Sequence, residues 1–166
     1  MKTVPIERYL RTSYRPEREY VDGEIVKRNC GELDHSGMMG ELIFFFGSRE
    51  KTWNLHVFPI LRMQVSDTRI RVPDICVYTA KPEEQVPRSP PFICIEILAP
   101  EDRLMRMQQK IDDYLKFGVP HVWVINPIDQ RAWACTKDGN AEIRDGVLRT
   151  ENPLLEVPLK KIFDEL

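Results

Sequence analysis

The sequence predicts a mixed α/β fold, with a central mixed β-sheet flanked by helices and a C-terminal β-hairpin appendage. Three observations carry this expectation. The segments FICIEIL (residues 92–98) and HVWVIN (residues 121–126) are apolar on both strand faces, which marks strands covered on both sides. Between them, residues 103–117 carry apolar side chains at helical spacing, so the three form a strand–helix–strand crossover with parallel strands. The length, 166 residues, suits one domain spanning residues 1–166.

The elements follow in order. Residues 5–10 read as a short helix and residues 20–27 as a strand opened by the turn Val21-Asp22-Gly23. Asp34 or Ser36 can cap a helix running to about Glu50, with Met38, Leu42 and Phe45 or Phe46 facing inward. Residues 55–65 are strand-like, and after a turn at Ser66-Asp67 residues 70–78 form the return arm of a hairpin. Residues 81–91 contain four prolines and read as a surface loop. After the strand at 92–98, Asp102 can cap the helix at 103–117; Leu104, Met107 or Gln108, Ile111 and Leu115 line its apolar face, and Gly118 closes it. Residues 131–136 and 142–144 pair around a turn at 137–140, and residues 158–166 form a short closing helix.

Composition narrows the function. Apolar residues make up 42% and charged residues 30%, as in ordinary globular proteins. No run approaches the roughly 18 apolar residues of a membrane span, and residues 1–14 show no leader-like apolar stretch. We therefore expect a cytoplasmic protein with no membrane partner. Cys30, Cys76, Cys94 and Cys135 lie far apart, as do His35, His56 and His121, which argues against a zinc site. The net charge of −2 argues against a whole surface built to hold nucleic acid, though a local basic stripe can still serve.

Two carboxylates stand where carboxylates are costly. Glu96 lies inside FICIEIL, and an isolated buried charge costs several kcal/mol. A metal ion must meet it, or else a Lys or Arg in a structural ion pair. Asp74 raises the same question in residues 70–78, where the preceding Pro73 marks an edge or a bulge that re-aims the next side chain. Its bland alternative is a turn or bulge cap. Two carboxylates on neighbouring strands, with the backbone carbonyl of Ile97 as a third ligand, suit Mg²⁺, which takes oxygen ligands and keeps several waters. Such an ion can activate water and neutralise charge on a phosphodiester. On the following helix Arg103, Lys110, Tyr114 and Phe117 form one stripe, from which Lys110 can reach the carboxylates. A solvated helix face is the alternative.

The blocks REYVDGEIV (18–26), DHSGMMGELIF (34–44), RVPDICVY (71–78), ICIEILAPEDR (93–103) and KIDDYLKFGVPHVWVINP (110–127) resemble, in this order, those of the Uma-type restriction endonuclease family. That family is placed in the PD-(D/E)xK nuclease superfamily, and the resemblance runs from about Val4 to Phe163. It implies a restriction-endonuclease-like core, with Asp74 as the PD aspartate and Glu96 as the second acidic residue. The superfamily lysine falls at Leu98 here; the Uma-type pattern carries it on the next helix, matched by Lys110 with Tyr114 beside it. Glu19 and His35 also match family positions. His35 can serve as a general base or phosphate ligand, or simply pack at its helix N-terminus. Glu19 can equally be a partner of Arg18 or Lys27. Arg106 and Ala99 depart from the family, where many members have aspartate and serine.

The expected function is Mg²⁺- or Mn²⁺-dependent endonucleolytic hydrolysis of phosphodiester bonds in DNA. Asp74, Glu96, Lys110, His35, Tyr114 and Glu19 form the expected site, in a chain that can act as a homodimer. The alternative is a catalytically silent nuclease-fold module that binds nucleic acid or a protein partner.

Overall fold

The computed structural model describes residues 3–28, 31–100 and 102–166. Cys30, one of the scattered cysteines, lies outside them. In chain order the elements are α1 (Ile6–Leu10), β1 (Arg18–Val21), β2 (Glu24–Lys27), α2 (Leu33–Gly47), α3 (Glu50–Trp53), β3 (His56–Pro59), β4 (Met63–Ser66), β5 (Arg69–Arg71) and β6 (Ile75–Tyr78). There follow β7 (Ile93–Ile97), α4 (Leu104–Phe117), β8 (His121–Asn126), β9 (Arg131–Thr136), β10 (Gly139–Glu142), β11 (Val147–Arg149), β12 (Glu156–Pro158) and α5 (Leu159–Phe163).

The main sheet has the order β10-β9-β8-β7-β6-β3, and β7 and β8 are its parallel pair, as the crossover requires. A smaller sheet has the order β2-β1-β5-β4, and β11 pairs with β12 alone. Side chains alternate across the main sheet. Ile93, Ile95, Ile97, Trp123 and Ile125 join the core that holds Met38, Leu42, Phe45 and Phe46 of α2 and Ile162 of α5. Cys94, Val122 and Val124 face the opposite core with Met107, Ile111 and Tyr114 of α4. The same alternation sends Glu96 to the α4 side.

Several local expectations change. Residues 20–27 are not one strand: Asp22 (φ 49°) and Gly23 (φ 91°) turn the chain, making a β1–β2 hairpin. Positive φ at both central residues matches the twist of tight hairpins. The hairpin of residues 55–78 exists, but it is creased. β3 pairs with β6 in the main sheet, while β4 pairs with β5 in the smaller one. Ile60, at φ 51°, bends one arm; Val72-Pro73-Asp74 interrupts the other, where proline can donate no ladder hydrogen bond. Asp74 thus sits between two strands rather than on one.

The expected helix caps also differ. The residue before α2 is Glu32 and that before α4 is Arg103, and neither makes a side-chain cap. Asp102 instead accepts a hydrogen bond from the Ala99 N–H at 2.6 Å, closing the turn after β7. Gly118 does end α4, at φ 106°. Leu104 is exposed, so the buried stripe of α4 starts one turn later with Met107, Ile111 and Tyr114. The C-terminal hairpin is present, with β10 starting at Gly139, and it extends the main sheet through β9 on β8. Among the described residues no helix is long and apolar enough to cross a membrane.

Candidate active-site cleft

Glu96 is supplied by the central strand β7 and is 1% exposed. Its Oε2 accepts a hydrogen bond from Lys110 Nζ at 2.7 Å, and its Oε1 accepts one from the Tyr114 hydroxyl at 2.5 Å. Lys110 and Tyr114 are i and i+4 on α4, so they share a face one turn apart. The helical stripe read in the sequence is therefore a buried polar seam at these two residues.

Asp74 sits at the crease between the sheets. Its Oδ1 accepts from Arg28 Nη2 at 2.5 Å, and its Oδ2 accepts from the Ile97 backbone N–H at 2.8 Å. His35 Nε2 lies 3.3 Å from the same Oδ2. Ile97 thus joins the site through its N–H, which ties Asp74 to the strand carrying Glu96. Glu19 reaches the cluster from β1 of the smaller sheet. It accepts from the Val72 N–H at 3.0 Å and from Arg71 Nη1 at 2.9 Å, and its Oε1 lies 3.3 Å from Lys110 Nζ. Arg71 in turn pairs with Asp113, which also binds Arg69.

The structure therefore brings together all six side chains singled out in the sequence: Glu19, His35, Asp74, Glu96, Lys110 and Tyr114. A cleft of about 320 Å³ is lined by Glu19, His35, Asp74, Glu96 and Lys110, with Arg28 and Arg106 also on its wall. Three partners went unread: Arg28, Arg71 and Asp113. Arg71 had left a faint trace, a charge within the otherwise apolar stretch Ile70–Val72. The other two are joined to the site by pairs separated by more than 40 residues, which leave no local signature. Glu19 pairs with Lys110 and Arg71 rather than with Arg18 or Lys27. Of the tryptophans, Trp123 is core, and Trp133 packs partly buried beside α4.

The charges are unequal in their settings. Burial opposes ionisation of Asp74, but the His35 hydrogen bond and the Arg28 and Lys110 charges outweigh it and hold the carboxyl below its ordinary range. Glu19 behaves alike: burial is overcome by Lys110, Arg71 and the Val72 N–H. Glu96 goes the other way. Burial pushes it up to about 7; Lys110 opposes this, while the charges of Asp74 and Glu19 add to it. Lys110 is nonetheless held firmly protonated, because burial is outweighed by the carboxylates of Glu19, Glu96 and Asp74 together. Lys110 is shared: it gains from every carboxylate, whereas Glu96 receives only part of one cation. Burial and the neighbouring Glu96 and Glu19 charges keep the Tyr114 hydroxyl protonated. His35 is raised, burial being outweighed by Asp74.

The donor set, carboxylate oxygens converging on one cleft, is of the kind that holds a hard divalent cation. Each carboxylate already meets a protein cation, and among the described residues no group of three or more His, Cys, Asp or Glu is arranged to hold a metal. The donor chemistry fits an ion; the present charge balance leaves one only if a protein cation gives way.

Comparison with known proteins adds the lineage. No curated protein matches. A solved structure from Anabaena variabilis ATCC 29413, titled as a putative nuclease belonging to DUF820, shares the fold at TM-score 0.82 and 21% identity, covering 98% of each chain. A family model described as "Putative restriction endonuclease" matches residues 6–161, nearly the whole sequence. By that match the chain belongs to the Uma2 restriction endonuclease family.

Proposed function

We propose that this chain, acting as one domain, is a metal-dependent endonuclease that hydrolyses phosphodiester bonds in DNA. The observation that carries the reading is the meeting of Glu19, Asp74 and Glu96 in one cleft, with Lys110 between two of them, in a nuclease-family chain. Asp74, Glu96 and the Ile97 carbonyl would hold Mg²⁺ or Mn²⁺. When bound, such an ion supplies an activated water and neutralises charge on the phosphate.

The protein groups do the rest. Lys110, protonated and anchored by Glu19, points its ammonium into the cleft, where it stabilises negative charge on a phosphate oxygen. Tyr114 fixes one oxygen of Glu96 and so orients the other. His35 holds Asp74 and lines the cleft beside it, within reach of a substrate phosphate. Reduced buried thiols at Cys76, Cys94 and Cys135 suit a cytoplasmic setting. Cleavage of both strands would call for a homodimer.

A second reading is a silent nuclease-fold module that binds nucleic acid or a protein. It is favoured by the pairing of each site carboxylate with a protein cation. One experiment separates the two: incubation of supercoiled and single-stranded DNA with Mn²⁺, Mg²⁺ or EDTA, beside Asp74→Ala and Glu96→Ala. The nuclease reading expects metal-dependent nicking that each substitution lowers by a hundredfold or more. Folded wild-type protein that cuts nothing with any metal favours the silent module.

A further inference from the structure

The site's cations are not equally held. Lys110 is gripped by Glu19 and Glu96 from the middle of a helix, and Arg71 by Glu19 and Asp113. Among the described residues Arg28 has one carboxylate contact, Asp74 Oδ1. It follows the last residue of β2, past the end of the ladder. Its Nε is buried without an acceptor among the described residues, so there the guanidinium makes fewer bonds than its fork allows. Among the described residues, Arg28 is the one hydrogen-bond partner of Asp74 Oδ1, whereas Oδ2 is taken by Ile97 and His35.

The carboxylates of Glu19, Asp74 and Glu96 already meet Lys110, Arg71 and Arg28, while Arg71 is shared with Asp113 and His35 lies against Asp74. A divalent ion must therefore compete with one of these cations for its carboxylate oxygens. Arg28, just past the end of β2 and with a single carboxylate contact among the described residues, is the cation whose departure breaks the fewest ion pairs.

We propose that the Arg28 guanidinium is a displaceable stand-in for the divalent cation, holding Asp74 in the metal-free protein and releasing it when Mg²⁺ or Mn²⁺ binds. This rests on the metal-site reading above. Apparent metal affinity is then reduced by the fraction of molecules in which Arg28 covers Asp74. The released guanidinium stands at the cleft wall as an uncommitted planar cation, a shape that pairs with phosphate oxygens in two bonds. Metal entry and phosphate capture are thereby coupled through one side chain.

Calorimetric titration of Mn²⁺ into DNA-free protein tests this on wild type, Arg28→Gln and Glu96→Gln. We expect Arg28→Gln to bind Mn²⁺ at least tenfold more tightly than wild type, and Glu96→Gln to lose binding. Metal-free Arg28→Gln should melt below wild type and gain more from saturating Mn²⁺. Unchanged or weaker binding by Arg28→Gln, with wild-type binding intact, overturns the stand-in role and leaves the metal site standing. No Mn²⁺ binding by any folded variant overturns both. Should Arg28→Gln not fold, Arg28→Lys, whose ammonium lacks the fork, is expected to tighten binding several-fold; no tightening there also sinks the idea.

Discussion

Lys110 neutralises two buried carboxylates with one ammonium, and that sharing sets the character of the cleft. Breaking a buried ion pair by removing one partner typically costs about 3–5 kcal/mol, because the other charge is left uncompensated. Lys110→Met should therefore lower the unfolding free energy by an amount in that range, read from denaturant midpoints. Lys110→Arg should recover part of it, because the positive charge returns. Glu96 was legible in the sequence because a carboxylate amid FICIEIL has few bland explanations. Lys110 and Tyr114 were legible from helical spacing and the family pattern. Arg28 and Asp113 were not, and Arg71 only faintly as a charge in an apolar stretch, because a pair between residues far apart in sequence exists only once the chain has folded.

At the scale of elements, α4 is positioned by its two ends. Asp102 ties the turn after β7, and Gly118 closes the helix in a left-handed conformation that lets β8 return parallel to β7. A Cβ at Gly118 would meet Pro90 Cγ at 3.6 Å, an ordinary contact, so the cost of Gly118→Ala is backbone strain alone. That strain is about 1–2 kcal/mol, and the melting temperature should fall by roughly 3–6 °C with metal affinity unchanged. The period-2 and period-3.6 patterns made β7, α4 and β8 readable nearly to the residue. They failed at the creased hairpin, since Ile60 adopts positive φ with no glycine to announce it. The cap residues misled for a related reason: Asp102 has the chemistry of a cap, but its carboxylate accepts from the N–H of Ala99, behind it in the chain.

Across the whole molecule, the cleft joins two sheets with different cores. Glu96 belongs to the main sheet and Glu19 to the smaller one; α4 packs on the main sheet through Met107 and Ile111 and reaches the smaller one through the Lys110–Glu19 and Asp113–Arg71 ion pairs. A ligand that binds this native junction and not the unfolded chain stabilises the entire fold by mass action, by about 2.7 kcal/mol at a hundredfold excess over Kd. Saturating Mn²⁺ should thus raise the melting temperature of wild type by several degrees and leave Glu96→Gln unmoved, a difference that scanning calorimetry reads directly. An equal rise in both would locate the ion elsewhere.

The creased hairpin carries a mechanical consequence. One continuous ribbon lends β3 and β6 to the main sheet and β4 and β5 to the smaller one, so its bend acts as the pivot of a calliper whose jaws are the two sheets. The opening of that calliper sets how far Glu19 stands from Glu96, while Asp74 rides on the pivot itself. Val72 at the bend is fully buried and its N–H binds Glu19, so a residue inserted or deleted there would shift that bond and the register of a flanking strand, changing cleft width and stability together.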